Sequence, residues 1–135
     1  MGKKITKPKE FYSPVKDFKY KLNDSEDGII ITKYVGKDTE VVIPPKINGL
    51  PVTTIGVSAF AGCTGLQSIV IPESVTTIGV AAFYRCNNLE WVYIKKFDWT
   101  VKDIIDIFGT NPKFKFFRTQ QELDEFLNSA ENPDE

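Results

Sequence analysis

The feature that most constrains this chain is a block that occurs twice. Val52-Thr-Thr-Ile55-Gly56-Val57 returns residue for residue as Val75-Thr-Thr-Ile78-Gly79-Val80. The match continues through Ala59/Ala82, Phe60/Phe83, Cys63/Cys86, Leu66/Leu89, Ile69/Val92 and Ile71/Ile94, each pair 23 residues apart. Self-similarity at one fixed period is the mark of a repeat architecture. A unit this short cannot enclose its own apolar residues, so it is stable only when the next unit stacks on it.

The residue order within the unit points to β structure. Leu66, Ile69 and Ile71 alternate as the inward positions of a short strand, and Pro72 ends its ladder by removing a backbone donor. Val75 and Ile78 form a second inward pair. Gly79 allows a close bend, and small Ala82 beside large Phe83 fills the space under the next turn. Stacked strands should lie roughly 4.8 Å apart.

Weaker echoes flank the two clean copies. Val41-Val42-Ile43-Pro44 matches Ile69-Val70-Ile71-Pro72 at an offset of 28, with a turn at Asn48-Gly49 in between. Phe108-Gly-Thr-Asn111-Pro-Lys-Phe114 matches Phe83 to Leu89 at an offset of 25, with Asn111 in place of cysteine. In front, Phe18 to Leu22 and Ile29 to Tyr34 read as a hairpin turned at Asp27-Gly28. Behind, Val101, Ile104, Ile105 and Phe108 have helical spacing between a Thr100 cap and a Gly109 stop. Phe114 to Arg118 reads as a strand. Thr119-Gln-Gln-Glu122 has capping-box form ahead of Leu123, Phe126 and Leu127. The expected organisation is one domain over 17–129, comprising a front cap at 17–40, repeats at 41–94 and a rear cap at 95–129, with loose tails at 1–16 and 130–135.

The pattern Leu66-x-x-Ile69-x-Ile71-Pro72-x-x-Val75-Thr76-x-Ile78-Gly79-x-x-Ala82-Phe83-x-x-Cys86 resembles the BspA-like, treponemal-type class of leucine-rich repeat. The resemblance covers residues 41 to 94 well and 95 to 117 loosely. It implies an α+β fold: a short right-handed leucine-rich-repeat β-solenoid with an N-terminal β-hairpin cap and a C-terminal helix/strand/helix cap. It also implies a bacterial surface or secreted protein that binds other proteins.

Composition narrows the function. The net charge of −1 supplies no field for nucleic acid. No apolar run is long enough to span a bilayer, so no membrane insertion is expected. The first residues lack the apolar core of a secretory signal. The sequence as given therefore reads as cytoplasmic, and the family resemblance would place it at the cell surface or outside if a leader had been removed. There is no histidine, which removes Ser–His and Cys–His catalysis and histidine metal sites. No cofactor is expected.

Partner binding is expected on the outward strand positions, where the copies differ: Gln67/Glu90, Ser68/Trp91 and Val70/Tyr93. Trp91 and Tyr93 would anchor a protein partner if exposed. The alternative is that the rear cap, with Phe97 and Trp99, covers them. Cys63 and Cys86 read as two small thiols packed in a column. Asn23 to Gly28 reads as a solvated hairpin loop, since it lacks the spacing of a calcium loop. The two carboxylates Asp103 and Asp106 lie one helical turn apart, an ordinary spacing on a solvated helix. The expected function is a non-catalytic interaction module, monomeric or weakly self-associating. A structural repeat unit is the alternative, and an enzyme working through carboxylates is the remote one.

Overall fold

A computed structural model describes residues 11–94, 100–109 and 113–131. A single 3-10 turn at Val15–Asp17 leads into β1 (Phe18–Leu22), β2 (Ile29–Tyr34), β3 (Glu40–Val42), β4 (Lys46–Ile47), β5 (Leu50–Ile55), β6 (Ser68–Ile71), β7 (Thr77–Ile78), β8 (Trp91–Ile94), α1 (Val101–Phe108), β9 (Lys115–Phe117) and α2 (Gln120–Glu131). These elements build a small β-solenoid of about three turns.

Two sheets form its walls. In one, β3, β6, β8 and β9 run parallel in that order. In the other, β2, β5 and β7 are parallel, with β1 and β4 added antiparallel. The 23-residue offset appears directly as register: Ser68, Ile69, Val70 and Ile71 pair with Trp91, Val92, Tyr93 and Ile94. Ile69, Ile71, Val92 and Ile94 point inward and are buried with Val52, Ile55, Leu66 and Leu89.

One backbone bond recurs at every junction between turns. The N–H of Tyr34 donates to the Ala59 carbonyl, that of Phe60 to Ala82, and that of Phe83 to Ile107, at 2.8, 2.7 and 3.0 Å. Tyr34, Phe60, Phe83 and Phe108 therefore hold one structural position, and their rings form a continuous stack through the core. At the front, β1 and β2 form the expected antiparallel hairpin; β2 also pairs in parallel with β5 and so carries the solenoid's sheet into the cap, with Phe18 tilted against Tyr34.

The front segment also departs from expectation. Residues 11–16 were expected to belong to a loose tail, yet Ser13 is buried. Its N–H donates to the Val42 carbonyl at 2.8 Å, and its hydroxyl accepts from the Val42 N–H at 2.9 Å. Without this partner the edge of β3 would leave those groups unpaired. Of the expected rear tail, residues 130 and 131 belong to α2, and residues 1–10 and 132–135 lie outside the described residues.

The rear cap has the expected element order. Thr100 and Asp103 complete a reciprocal capping box on α1, and Gly109 ends it with φ 89°, a left-handed conformation that suits glycine. Its buried face is Ile107 and Phe108, while Ile105 is exposed because the turn-to-turn bond draws Ile107 onto Phe83. Phe114 and Phe116 pack on the ring of Phe108 and close the column. The Thr119 hydroxyl caps the Glu122 N–H at 3.1 Å, and α2 then lies on the outer side of the parallel sheet.

Candidate functional site

The outward positions of the parallel sheet make two rows across its strands. One is Glu40, Ser68, Trp91 and Lys115, and the other is Val42, Val70, Tyr93 and Phe117. All the residues expected to bind a partner lie on or beside these rows. They do not form one open surface, because α2 crosses the same face.

Trp91 is only 1% exposed, which corrects its placement as a surface anchor. Its indole packs edge-on to Phe117, with centroids 6.5 Å apart, under Leu123 and Leu127 of α2. Ser68, beside it in the same row, is buried too. The physical reason is the amphipathic face of α2: Leu123, Phe126 and Leu127 need apolar cover, and the large outward residues of β8 and β9 supply it. Phe97 and Trp99, expected to contribute to that cover, lie outside the described residues.

Tyr93 and Val70 are half-buried at the margin of the same cluster. The Tyr93 phenol is raised above its ordinary pKa, first by burial and then by the carboxylates of Glu73 and Asp124. Gln67 and Glu90 are half-buried, and the Glu90 N–H donates to the Gln67 carbonyl at 2.7 Å. They mark the entry to β6 and β8, away from the Tyr93 end of the row.

Beyond the reach of α2, the face opens into a groove of about 670 Å³ lined by Tyr12, Val42, Pro45, Val70, Pro72 and Glu73, among others. Val70 belongs both to this groove and to the cluster under α2, so the two surfaces are continuous. Sequence reasoning placed Val70 on the face but missed Tyr12, Pro45, Pro72 and Glu73. Pro72 carried a usable signal, since it directly follows β6 and ends that strand.

The other candidates are structural. Cys63 and Cys86 are free thiols in equivalent rungs. The Cys86 thiol donates to the Phe60 carbonyl at 3.1 Å, and burial pushes its pKa up to about 12. A thiol in that state is a poor nucleophile. Asp103 is held below the ordinary carboxylate range by the backbone N–H and hydroxyl of Thr100, and Asp106 is paired with Lys102. Both serve α1. The acidic loop closes on itself, with the Asn23 side chain accepting from the N–H groups of Asp27 and Gly28. Among the described residues, no group of three or more acidic or thiol side chains is placed to hold a metal ion, and no helix is long and apolar enough to cross a membrane.

A stacked parallel sheet, a repeating turn-to-turn hydrogen bond and capped ends define a leucine-rich-repeat solenoid. The model of the BspA-type leucine-rich repeat region, in six copies, matches residues 38–129, and the chain belongs to that family. Solved structures agree. A leucine-rich repeat protein of T. pallidum is 35% identical with TM-score 0.56, over 72% of this chain and 48% of that one. A leucine-rich cell surface protein of Faecalibacterium prausnitzii is 31% identical with TM-score 0.56, over 65% of this chain and 24% of that one. A leucine-rich repeat protein of Bacteroides capillosus is 26% identical with TM-score 0.51, over 60% of this chain and 70% of that one. The chain thus spans about half the length of the treponemal protein and about a quarter of the F. prausnitzii one. No match is found among curated proteins.

Proposed function

We propose that this chain is a non-catalytic protein-interaction module that takes an apolar segment of a protein partner into the groove beside Val70. The observation that carries this reading is the uneven cover of the outer sheet face. α2 buries the rear half, while the Val42–Val70 half remains an apolar groove framed by Pro45, Pro72 and Tyr12. Concave, mostly apolar surfaces with a few polar groups at the rim are suited to recognition. Tyr93 lies half-buried next to Val70 at its margin, and Trp91 acts from beneath by fixing α2. Membership of a repeat family supports an interaction or scaffold role, and the likeness to a leucine-rich cell surface protein of F. prausnitzii supports work at the cell surface.

The test is a pull-down from lysate and, separately, from extracellular-matrix proteins, with the chain and its Val70→Glu variant. A defined partner retained by the chain and lost by a variant of unchanged melting temperature is the expected result. A partner held equally by both would remove the groove from the function.

A structural, self-associating repeat unit is the second reading. It is favoured by an apolar pair on another corner of the solenoid, where Val57 is 69% and Val80 61% exposed at equivalent positions. Light scattering across a concentration range distinguishes the two. A mass that stays at one chain leaves the interaction module alone.

A further inference from the structure

Cys63 and Cys86 hold one position in two stacked turns, and the turns are tied together on both sides of them. The Gly62 N–H donates to the Tyr84 carbonyl at 2.8 Å, and the Asn88 side-chain amide donates to the Thr64 carbonyl. Stacked turns lie roughly 4.8 Å apart. That is inside the range of about 4.4–6.8 Å between Cα atoms that a disulfide spans. Cys86 also leans across the gap. Its thiol and the Cys63 N–H donate to the same Phe60 carbonyl, at 3.1 and 3.2 Å. The Cys86 sulfur therefore lies against the backbone of the turn that holds Cys63.

The two thiols differ in access. Cys63 lines a pocket of about 340 Å³ with Lys33, Tyr34, Lys37 and Thr64. Gly62 and Gly65 belong to the same lining, and a Cβ at either would meet nothing within 4 Å. The mouth beside Cys63 is thus open, and the exposed Lys33 and Lys37 give it positive charge. Burial raises the Cys63 thiol above its ordinary pKa, and the Lys33 charge acts against that rise. Cys86 is not part of the lining.

We propose that Cys63 and Cys86 form a thiol-exchange site that takes an anionic low-molecular-weight disulfide at Cys63 and ends as a bond between the two turns. The Cys63 thiolate attacks one sulfur of the small disulfide, breaks its S–S bond and releases one small thiol. The Cys86 thiolate then attacks the Cys63 sulfur and releases the second. The two protein thiols lose two electrons and two protons, and the small disulfide takes up both as two thiols. Cys86, with a pKa of about 12, is a thiolate in roughly one molecule in 10⁴ at pH 8. Its attack is intramolecular, where effective molarities of about 10⁵ M offset that scarcity. None of this rests on the interaction reading above.

The experiment incubates the folded full chain with oxidised glutathione at pH 8 and follows intact mass and tryptic peptides. Cleavage after Arg85 parts the two cysteines, so the bond is read as two joined peptides. The expected product is a single chain linked at Cys63 and Cys86, with a urea midpoint above that of the reduced chain. Cys86→Ser should trap Cys63 as a lasting glutathione adduct, whereas Cys63→Ser should leave Cys86 at least tenfold slower to form one. Lys33→Glu combined with Lys37→Glu should slow the first step several-fold. Brief alkylation of the unaltered folded chain should mark Cys63 before Cys86. Links only between chains, modification of Cys86 first, a rate indifferent to the lysine reversal, or a linked chain with a lowered midpoint would each overturn the proposal. So would a pair that stays reduced under conditions that oxidise the urea-unfolded chain.

Discussion

The rings of Phe60 and Phe83 stack 5.0 Å apart with planes 19° from parallel. Tyr34 extends the stack at 5.1 Å on one side and Phe108 at 5.2 Å on the other. The column passes through every turn, so its middle member couples both ends. Phe83→Ala should cost about 3–5 kcal/mol, the range for emptying a large aromatic site that cannot collapse. Urea unfolding followed by circular dichroism measures this directly. A loss below about 1 kcal/mol would show that the turns are held together by their strands alone.

Gly79 is governed by space. A Cβ there would lie 2.6 Å from the Val57 nitrogen and 2.8 Å from the Gly56 carbonyl carbon, both backbone atoms of the preceding turn. Neither can move without breaking the bond from the Gly79 N–H to the Ile55 carbonyl at 2.8 Å. Gly79→Ala should destabilise by about 1–3 kcal/mol, as overpacking does. Gly65→Ala, where a Cβ meets nothing within 4 Å, is the matched control and should leave the melting temperature within a few degrees.

Trp91 and Tyr93 should separate cleanly under mutation. Trp91→Ala removes the floor beneath Leu123 and Leu127, at a cost of about 3–5 kcal/mol for a buried ring. Hydrogen exchange should accelerate first in α2, which depends on that floor. Tyr93→Ala, at the half-exposed margin, should cost less and leave α2 protected. Equal protection of α2 in both variants would mean that the helix is held by Phe117 alone.

The centre of the molecule was legible because stacking forces like residues into like places, and β6 and β8 pair at the offset seen in the sequence. Tyr34 escaped notice because it precedes Phe60 by 26 residues, and a tyrosine there reads as the end of a hairpin strand. The bond from its N–H to Ala59 and its ring stacked on Phe60 reveal the equivalence. The site was less legible than the fold. That Trp91 points outward follows from strand alternation, but whether water or α2 meets it depends on where a helix more than 25 residues later docks, and periodicity carries no such information. The groove depends likewise on Tyr12 being drawn in by Ser13, whose two bonds to Val42 have no sequence pattern behind them.

Cys86 makes stability depend on pH in a direction that can be worked out. Its folded pKa is raised from 9.0 to about 12, first by burial. The folded state therefore holds the proton where the unfolded chain has begun to lose it. The contribution is complete below pH 9 and is lost as pH rises toward 12. Tyrosines and lysines titrate in the same range, so the informative quantity is the difference between the chain and its Cys86→Ala variant. That difference in urea midpoint should be largest near pH 8 and shrink by pH 10.5, where the unfolded thiol is ionised. The same protection predicts that Cys86 is alkylated much more slowly than a free thiol at pH 8, and that urea removes the difference. A Cys86 that reacts at the free-thiol rate in the folded chain would place its sulfur in water and withdraw the bond to Phe60.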